Sequence, residues 1–175
     1  ERIMRDLLFP ALAGLVFFFF TQSRAADWDI DASHSNVRFK VRHMMVTNVR
    51  GEFGKFNGTV QYDPKNPTKT KAEVTIQVGS IDTKDEKRDG HLKSPDFFDA
   101  DTYPTIEFKS TSAMKKGKDG LEVTGKLTMR GKTKPVVLRV EDITGQVTDP
   151  WGNTKIGATL TTTVNRQDFG VSWNK

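Results

Sequence analysis

The sequence predicts an all-β protein, built as an antiparallel sandwich or barrel with one short helix. Two observations support this fold class: apolar and polar residues alternate along several segments, and turn-forming residues separate those segments. Within residues 35–43, Val37, Phe39 and Val41 share one face of a strand, and basic residues occupy the other face. This alternation is typical of strands with one apolar and one solvated face. Regular short strands joined by turns favour an antiparallel sandwich or barrel.

The same alternation predicts the remaining strands in chain order. β-Branched and aromatic side chains, the residue types that suit a half-buried strand, dominate the inward positions of these segments. These segments are residues 56–63, 71–80, 104–111, 121–129, 134–145 and 154–165. The turns between strands are rich in Pro, Gly, Asn and Lys. They lie at residues 63–67, 115–120, 129–135 and 149–153.

One segment is predicted to be helical. Residues 82–94 read DTKDEKRDGHLKS and offer Asp82 as the N-cap. Gly90 inside this segment costs about 1 kcal/mol relative to alanine, so the helix is expected to be short. Phe97 and Phe98 follow in an otherwise polar stretch. Two interpretations of these rings are open: they plug one end of the core, or they line a pocket.

The first 25 residues are expected to be a secretory signal peptide outside the fold. Residues 1–3 precede a candidate initiator, Met4, and the apolar run 7–20 has 14 residues. A membrane-spanning helix needs about 20. Ser23 and Ala25 occupy the small-residue positions that a signal peptidase recognises, which predicts cleavage after Ala25 and a periplasmic mature protein without stable membrane insertion. The alternative is an uncleaved anchor.

Composition and motifs narrow the function classes. The chain has 175 residues, a net charge of +5 and no cysteine, which excludes disulfides, thiolate metal sites and cysteine nucleophiles. Charges of both signs alternate along it, whereas a nucleic-acid-binding protein concentrates its basic residues. The histidines, His34, His43 and His91, lack metal-ligand spacing, and His34 is expected in a turn stabilised by Ser33 and Ser35. No nucleophile or phosphate-binding motif is present. The sequence therefore predicts a binding protein rather than an enzyme, with no cofactor or metal.

Four long segments resemble the YceI family of secreted bacterial lipocalin-like proteins that bind polyisoprenoid lipids. They are residues 33–58, 80–111, 125–138 and 149–174, which cover nearly all of the mature chain in order. The resemblance implies one domain over residues 26–175, an antiparallel lipocalin-like β-barrel of eight strands with a short helix near its opening. The family pattern continues into a further strand, so the last strand is expected to be missing from this chain.

The resemblance also implies a function. It predicts carriage or storage of a polyisoprenoid, such as a prenyl quinone precursor or a polyprenyl phosphate, with the tail inside the barrel and the head group near its mouth. The alternative is a secreted scavenger of amphiphilic antibiotics or toxic lipids. A homodimer is compatible with either function.

Candidate site residues follow from the alternation and the resemblance. From composition alone, the inward residues either fill a core or leave room for one ligand. The predicted apolar lining is Val37, Phe39, Val41, Phe53, Val74, Ile76, Phe97, Phe98, Ile106, Phe108, Val123, Leu127, Leu138, Ile156, Leu160, Phe169 and Trp173. The head-group candidates are Arg42, His43, Arg88 and His91. Arg88 is expected either to pair with Asp85 or Asp89 or to face the cavity mouth.

Overall fold

Antiparallel strands dominate the computed structural model, which describes residues 26–43, 46–117 and 120–173. The strands are β1 (Ala26–Asp29), β2 (Val37–His43), β3 (Thr47–Phe53), β4 (Phe56–Tyr62), β5 (Lys71–Gln77), β6 (Ile81–Asp82), β7 (Thr105–Lys116), β8 (Gly120–Met129), β9 (Lys132–Glu141), β10 (Val147–Thr148), β11 (Thr154–Lys155) and β12 (Thr159–Thr161). The α-helix α1 spans Glu86–Lys93, and 3₁₀ turns lie at Pro67–Lys69, Val78–Ser80 and Arg166–Phe169. The predicted signal peptide, residues 1–25, lies outside the described residues. Within the described ranges, no helix is long and apolar enough to cross a membrane.

The strands form one large curled sheet and one small sheet. The large sheet has seven strands in the order β1-β4-β5-β7-β8-β9-β12, and the small sheet has the order β2-β3-β6. Strands β10 and β11 form a separate hairpin. The neighbouring strands are antiparallel, and the large sheet curls into a half-barrel. The predicted all-β, antiparallel, lipocalin-like fold class with one short helix is confirmed.

Two short connections, one between β3 and β4 and one between β5 and β6, join the large sheet to the small one. The chain passes from β3 into β4 through Gly54 and Lys55, and from β5 into β6 through the 3₁₀ turn Val78–Ser80. The Gln77 N–H donates to the Lys55 carbonyl at 2.9 Å, and the Gly54 N–H donates to the Ser80 carbonyl at 3.1 Å. A corner made by strands that change sheets lets one chain cover two sides of a core.

Apolar side chains from both sheets meet on the inner face of the curl. The helix-end cluster buries Phe53, Val78, Ile81, Ile106, Met129 and Phe169. The far cluster buries Ala72, Phe108, Leu121, Val123 and Val140. Leu127 and Val136 pack against both clusters, so the core is continuous along the inner face.

Two inner-face glycines make room for aromatic rings. A Cβ atom at position 51 would lie 2.4 Å from Cζ of Phe39, and one at position 125 would lie 2.4 Å from Cζ of Phe108. Neither distance is compatible with the present ring positions. Because Gly51 interrupts the apolar pattern of residues 47–53, the sequence does not predict β3.

The predicted start of the helix is wrong. The N-cap of α1 is Asp85, whose carboxylate accepts a 3.1 Å hydrogen bond from the Arg88 backbone N–H. Asp82 instead ends β6, opposite Glu52 of β3. Lys84 then adopts a left-handed φ of 63°, so the chain turns before the helix can begin.

The predicted strand 154–165 is also wrong in its extent. Strands β11 and β12 take up only Thr154–Lys155 and Thr159–Thr161. Between them the chain leaves the sheet at Gly157, whose N–H donates to Oγ1 of Thr144 at 2.8 Å and whose carbonyl accepts from the Thr144 N–H at 2.9 Å. These loop hydrogen bonds replace the ladder bonds of a continuous strand.

Candidate functional site

The inner face of the half-barrel carries most of the predicted lining residues. The buried ones are Phe53, Ile106, Phe108, Val123 and Phe169. The partly buried ones packed against the two clusters are Val37, Phe39, Val74, Ile76, Phe98, Leu127 and Leu138. Ile156 is half-buried in the chain between β11 and β12. The alternation in the sequence thus places side chains on the correct faces of β2, β5, β7, β8 and β9, and their role in ligand binding stays a prediction.

Apolar side chains remain exposed on the inner face at the free edges of the two sheets. Leu160 of β12 lies opposite the inward-facing Val140 and is 54% exposed. Val41 of β2 lies opposite Val49, shares the face of Phe39 and is 43% exposed. We call the exposed Val41 and Leu160, together with their half-buried inner-face neighbours Val49 and Leu138, the apolar margin. The exposed surface of Val41 and Leu160 is available for a further apolar group to cover.

Phe98 belongs to the core. Its ring packs against the helix-end cluster and meets the Phe53 ring edge-on, with centroids 6.1 Å apart. Such edge-to-face pairs add stability beyond the area that they bury. The interpretation of a plug at one end of the core therefore describes the position of Phe98.

Phe97 has different surroundings. Its ring centroid lies 5.0 Å from that of His91 and 5.3 Å from that of Trp173, and His91 and Trp173 are 4.8 Å apart. The guanidinium carbon of Arg166 lies 5.7 Å from the Phe97 ring centroid, within the range of a cation–π contact. This aromatic cluster, His91, Phe97, Trp173 and Arg166, attaches the C-terminal described segment to α1.

Two arginines fix that segment through backbone carbonyls. Arg166 donates from Nη1 to the Val171 carbonyl at 2.6 Å and from Nη2 to the Trp173 carbonyl at 2.9 Å. Arg130 donates to the carbonyls of Gly170 and Pro95, the latter at 2.6 Å. Charged donors make the stronger class of hydrogen bond, so these contacts hold the loop after α1 and the chain after β12 together.

The predicted head-group residues do not converge on one point. Arg88 donates from Nε to Oγ1 of Thr83 at 2.7 Å and from Nη2 to the Thr83 carbonyl at 2.9 Å, and its Nη1 lies 3.7 Å from Asp85. The predicted pairing with Asp85 is therefore present. His91 contacts Asp96 at 3.0 Å and packs in the aromatic cluster.

Strand β2 holds the other two head-group candidates, which lie near its end. Arg42 is exposed opposite Asn48 in the pairing with β3. The side chain of His43 lies outside the part of the chain that the structure describes.

A groove of about 870 Å³ lies mainly on the outer side of β8 and β9. Its lining combines threonines and charged side chains, among them Glu122, Lys134 and Arg139, with apolar residues such as Val137 and Val164. Glu122 and Arg139 are opposed in the pairing of β8 with β9 and lie on the face opposite to Val123 and Leu138. A groove of this polarity is poorly suited to a long apolar tail, which gains most from apolar contacts.

A polar cluster on the loop after β1 contains the residue types of a hydrolytic triad. The Ser33 hydroxyl donates to Oδ1 of Asp31 at 2.6 Å and lies 3.0 Å from Nδ1 of His34, and this same nitrogen lies 2.8 Å from Oδ2 of Asp31. A catalytic relay needs one imidazole nitrogen for the serine and the other for the carboxylate. The cluster is therefore a turn stabilised by Asp31, whereas the sequence had suggested Ser33 and Ser35. In the described ranges, no three side chains are grouped as metal ligands.

The matches to known proteins cover nearly the whole described chain. The model of the YceI-like domain matches residues 28–175. The chain belongs to the YceI family. A UPF0312 protein of Vibrio cholerae is 39% identical over 169 residues, which are 95% of this chain and 88% of that protein. A UPF0312 protein of Pseudomonas aeruginosa is 36% identical over 171 residues, or 97% of this chain and 88% of that protein.

Solved structures agree with the YceI assignment. BcnA of Burkholderia cenocepacia is 30% identical, with a TM-score of 0.71 over 81% of this chain and 84% of BcnA. A YceI protein of Campylobacter jejuni is 34% identical, with a TM-score of 0.65 over 81% of this chain and 82% of that chain. The family membership predicted from the four sequence segments is confirmed.

In this YceI-family chain, Asp31 also links the loop after β1 to the β10–β11 hairpin. The Lys155 ammonium of β11 donates to the Asp31 carboxylate. This contact, with further hydrogen bonds from Ser33 and His34, holds the pKa of Asp31 well below the ordinary aspartate value of 3.8. The same pair raises the pKa of Lys155. A lowered carboxyl pKa stabilises the fold above the unfolded-state value, and this stabilisation declines as the pH falls below that value.

Asp31→Asn should therefore lower the urea midpoint of unfolding at about pH 7, and should lower it by less at about pH 3. At pH 3 the wild-type protein also loses part of the stabilisation that the ionised Asp31 provides. The Asp31 carboxylate is partly protonated in the unfolded state but stays ionised in the folded state. Asp29→Asn, at an exposed position of β1, is the control and should leave the midpoint nearly unchanged. A deficit of Asp31→Asn that is as large at pH 3 as at pH 7 would contradict an electrostatic role.

Proposed function

We propose that this YceI-family protein binds a long isoprenoid lipid along the inner face of its half-barrel and serves as a periplasmic carrier or store. The observation that carries the proposal is the apolar margin. Leu160 is 54% and Val41 43% exposed although both lie on the face that otherwise forms the core. An apolar chain laid along this face would cover them and extend the core.

The energetics favour a long ligand. Each CH₂ group that is removed from water contributes about 0.8 kcal/mol, and a polyprenyl tail carries many carbons. Part of this gain is offset by the lost freedom of the tail and of the ligand as a whole. A water-soluble carrier of such a lipid must shield the tail from water, which an apolar inner face accomplishes without any catalytic group.

Export is part of the proposal. Residues 1–25 have the features of a cleaved secretory leader. Ala26, the first residue after the predicted cleavage site, is also the first residue of β1 and pairs with Tyr62 of β4. Cleavage after Ala25 would therefore leave the described strand intact.

Native mass spectrometry of the protein purified from the periplasm of its own bacterium tests this function. The expected result is a chain that begins at Ala26 and carries one endogenous polyprenyl lipid per protein. Protein that purifies empty, and that takes up chemically unrelated amphiphiles as readily as polyprenyl lipids, would contradict the proposal and favour a scavenger. A chain that retains residues 7–20 in the membrane fraction would contradict export by cleavage.

A further inference from the structure

Trp28 places an unpaired hydrogen-bond donor on the inner face. In the pairing of β1 with β4, Trp28 lies opposite Val60, and Val60 packs against the far cluster. Directly opposed residues of an antiparallel pair project to the same face, so the indole shares the inner face with Val60. Its Nε1 atom is buried, and it is the one buried side-chain nitrogen or oxygen without a hydrogen-bond partner in the described ranges.

This donor has unusual surroundings for a tryptophan. Buried indole N–H groups usually have an acceptor, because the N–H can only donate and its burial without a partner is unfavourable. The opposed residues next to Trp28 on the inner face are apolar: Val60 pairs on its other side with the buried Ala72 of β5. Beside apolar neighbours, a hydrogen bond to an incoming acceptor is stronger than it would be in water.

The position of the donor gives the ligand a direction. Strand β4 runs from Phe56, opposite Ile76 beside the helix-end cluster, to Tyr62 beside the far cluster. Trp28, opposite Val60, therefore lies in the half of the inner face that is remote from α1. The arginine and histidine of α1 do not compete for this role, because Arg88 and His91 already contact Thr83 and Asp96.

We propose that the Trp28 Nε1–H donates a hydrogen bond to a neutral oxygen of the bound lipid, such as a hydroxyl or carbonyl oxygen. The inference rests on the proposed function and deepens it: the oxygen-bearing end of the ligand lies beside Trp28, and the hydrocarbon tail runs from there toward α1. The indole N–H is a neutral donor whose opposed neighbours Val60 and Ala72 are apolar, so it matches a neutral acceptor, whereas an anionic head group would require charged partners. Trp28 is then a residue that selects oxygen-bearing isoprenoids over plain hydrocarbons.

Trp28→Phe is the test, because it keeps an aromatic ring on the inner face and removes the donor, although the phenyl ring is smaller than the indole. The probes are squalene and the polyprenol of the same chain length, bound to lipid-free protein. The smaller ring should weaken both probes alike, so the variant should lose about ten-fold more affinity for the polyprenol than for squalene. Trp151→Phe, at an 83% exposed position after β10, is the matched control and should change neither affinity. The urea midpoint of lipid-free Trp28→Phe measures the cost of the smaller ring, which is common to both probes.

The other outcomes distinguish a failure of the Trp28 hydrogen bond from a failure of the proposed lipid binding. Equal weakening for both probes would make Trp28 a packing residue, and unchanged affinity for both would show that its donor is not used; either result overturns the inference alone. Wild-type protein that binds neither probe would overturn the proposed function and the inference with it.

Discussion

Val123→Asp should lower the free energy of unfolding by about 3–5 kcal/mol, the cost of an unpaired charge in a core. Val123 is 3% exposed in the far cluster, and its opposed neighbours in β7 and β9 are Ala113 and Leu138. None of these side chains can accept or donate a hydrogen bond. Because domains of this size are stable by only about 5–15 kcal/mol, the variant should also lose its capacity to retain lipid.

Urea denaturation of the lipid-free protein measures this effect. The control introduces the same residue on the outer face of the same strand: Lys126→Asp, at an exposed position, should change stability by no more than about 0.5 kcal/mol. A Val123→Asp protein as stable as the control would show that the inner and outer faces of β8 are assigned the wrong way round, since a slip of one residue inverts every side chain.

Phe108→Ala should cost about 3–5 kcal/mol, the usual range for removal of a buried aromatic ring. The Phe108 ring is 6% exposed and covers Gly125, where an added Cβ atom would lie 2.4 Å from Cζ of the ring and 2.7 Å from the Lys109 carbonyl oxygen. Gly125→Ala should therefore destabilise the wild type by about 1–3 kcal/mol through overpacking.

The double variant shows whether the two positions are in contact. Once the ring is absent, Gly125→Ala should cost less than it does in the wild type, although the Lys109 carbonyl keeps part of the strain. Gly79→Ala is the control, because nothing lies within 4 Å of an added Cβ atom there. Strictly additive free energies in the double-mutant cycle would contradict the packing of Phe108 on Gly125.

The strands and their faces could be predicted because their signal is local. In β2, β5 and β8, in the first half of β7 and in the second half of β9, the inward positions are mostly apolar, and burial of one face is sufficient to fix the direction of the side chains. Strand β3 lacks an apolar residue at its inward position 51. This position is a glycine because the Phe39 ring leaves no space for a Cβ atom there. The packing partner of a glycine is a long-range property that the sequence does not display.

The errors at α1 and after β11 have a similar cause. Asp82 has the chemistry of an N-cap, but its backbone pairs with Glu52 of β3, a contact between distant parts of the chain. Gly157 interrupts an apparently continuous strand because its backbone bonds to Thr144. In both places tertiary hydrogen bonds outweigh local preference.

The candidate site was only partly predictable. The inner-face residues followed from the alternation, whereas the polar residues were chosen by type, and Arg88 and His91 proved to be held by Thr83 and Asp96. Trp28 gave no signal in the sequence, because its distinguishing property is a buried donor without a protein acceptor. The absence of a partner can be recognised only when the surroundings are known.

The central claim is that an isoprenoid lipid lies along the inner face, and photo-crosslinking tests it most directly. A polyprenol with a diazirine in the isoprene unit next to its hydroxyl group is bound to the wild-type protein, activated by light and mapped by peptide mass spectrometry, with unlabelled polyprenol as competitor. Strand β9 provides an internal comparison, because Leu138 faces inward and the adjacent Val137, 44% exposed, faces outward. Competable adducts are expected on inner-face residues such as Leu138 and Leu160. Adducts on Val137 and Arg139, or adducts that the competitor does not reduce, would contradict it.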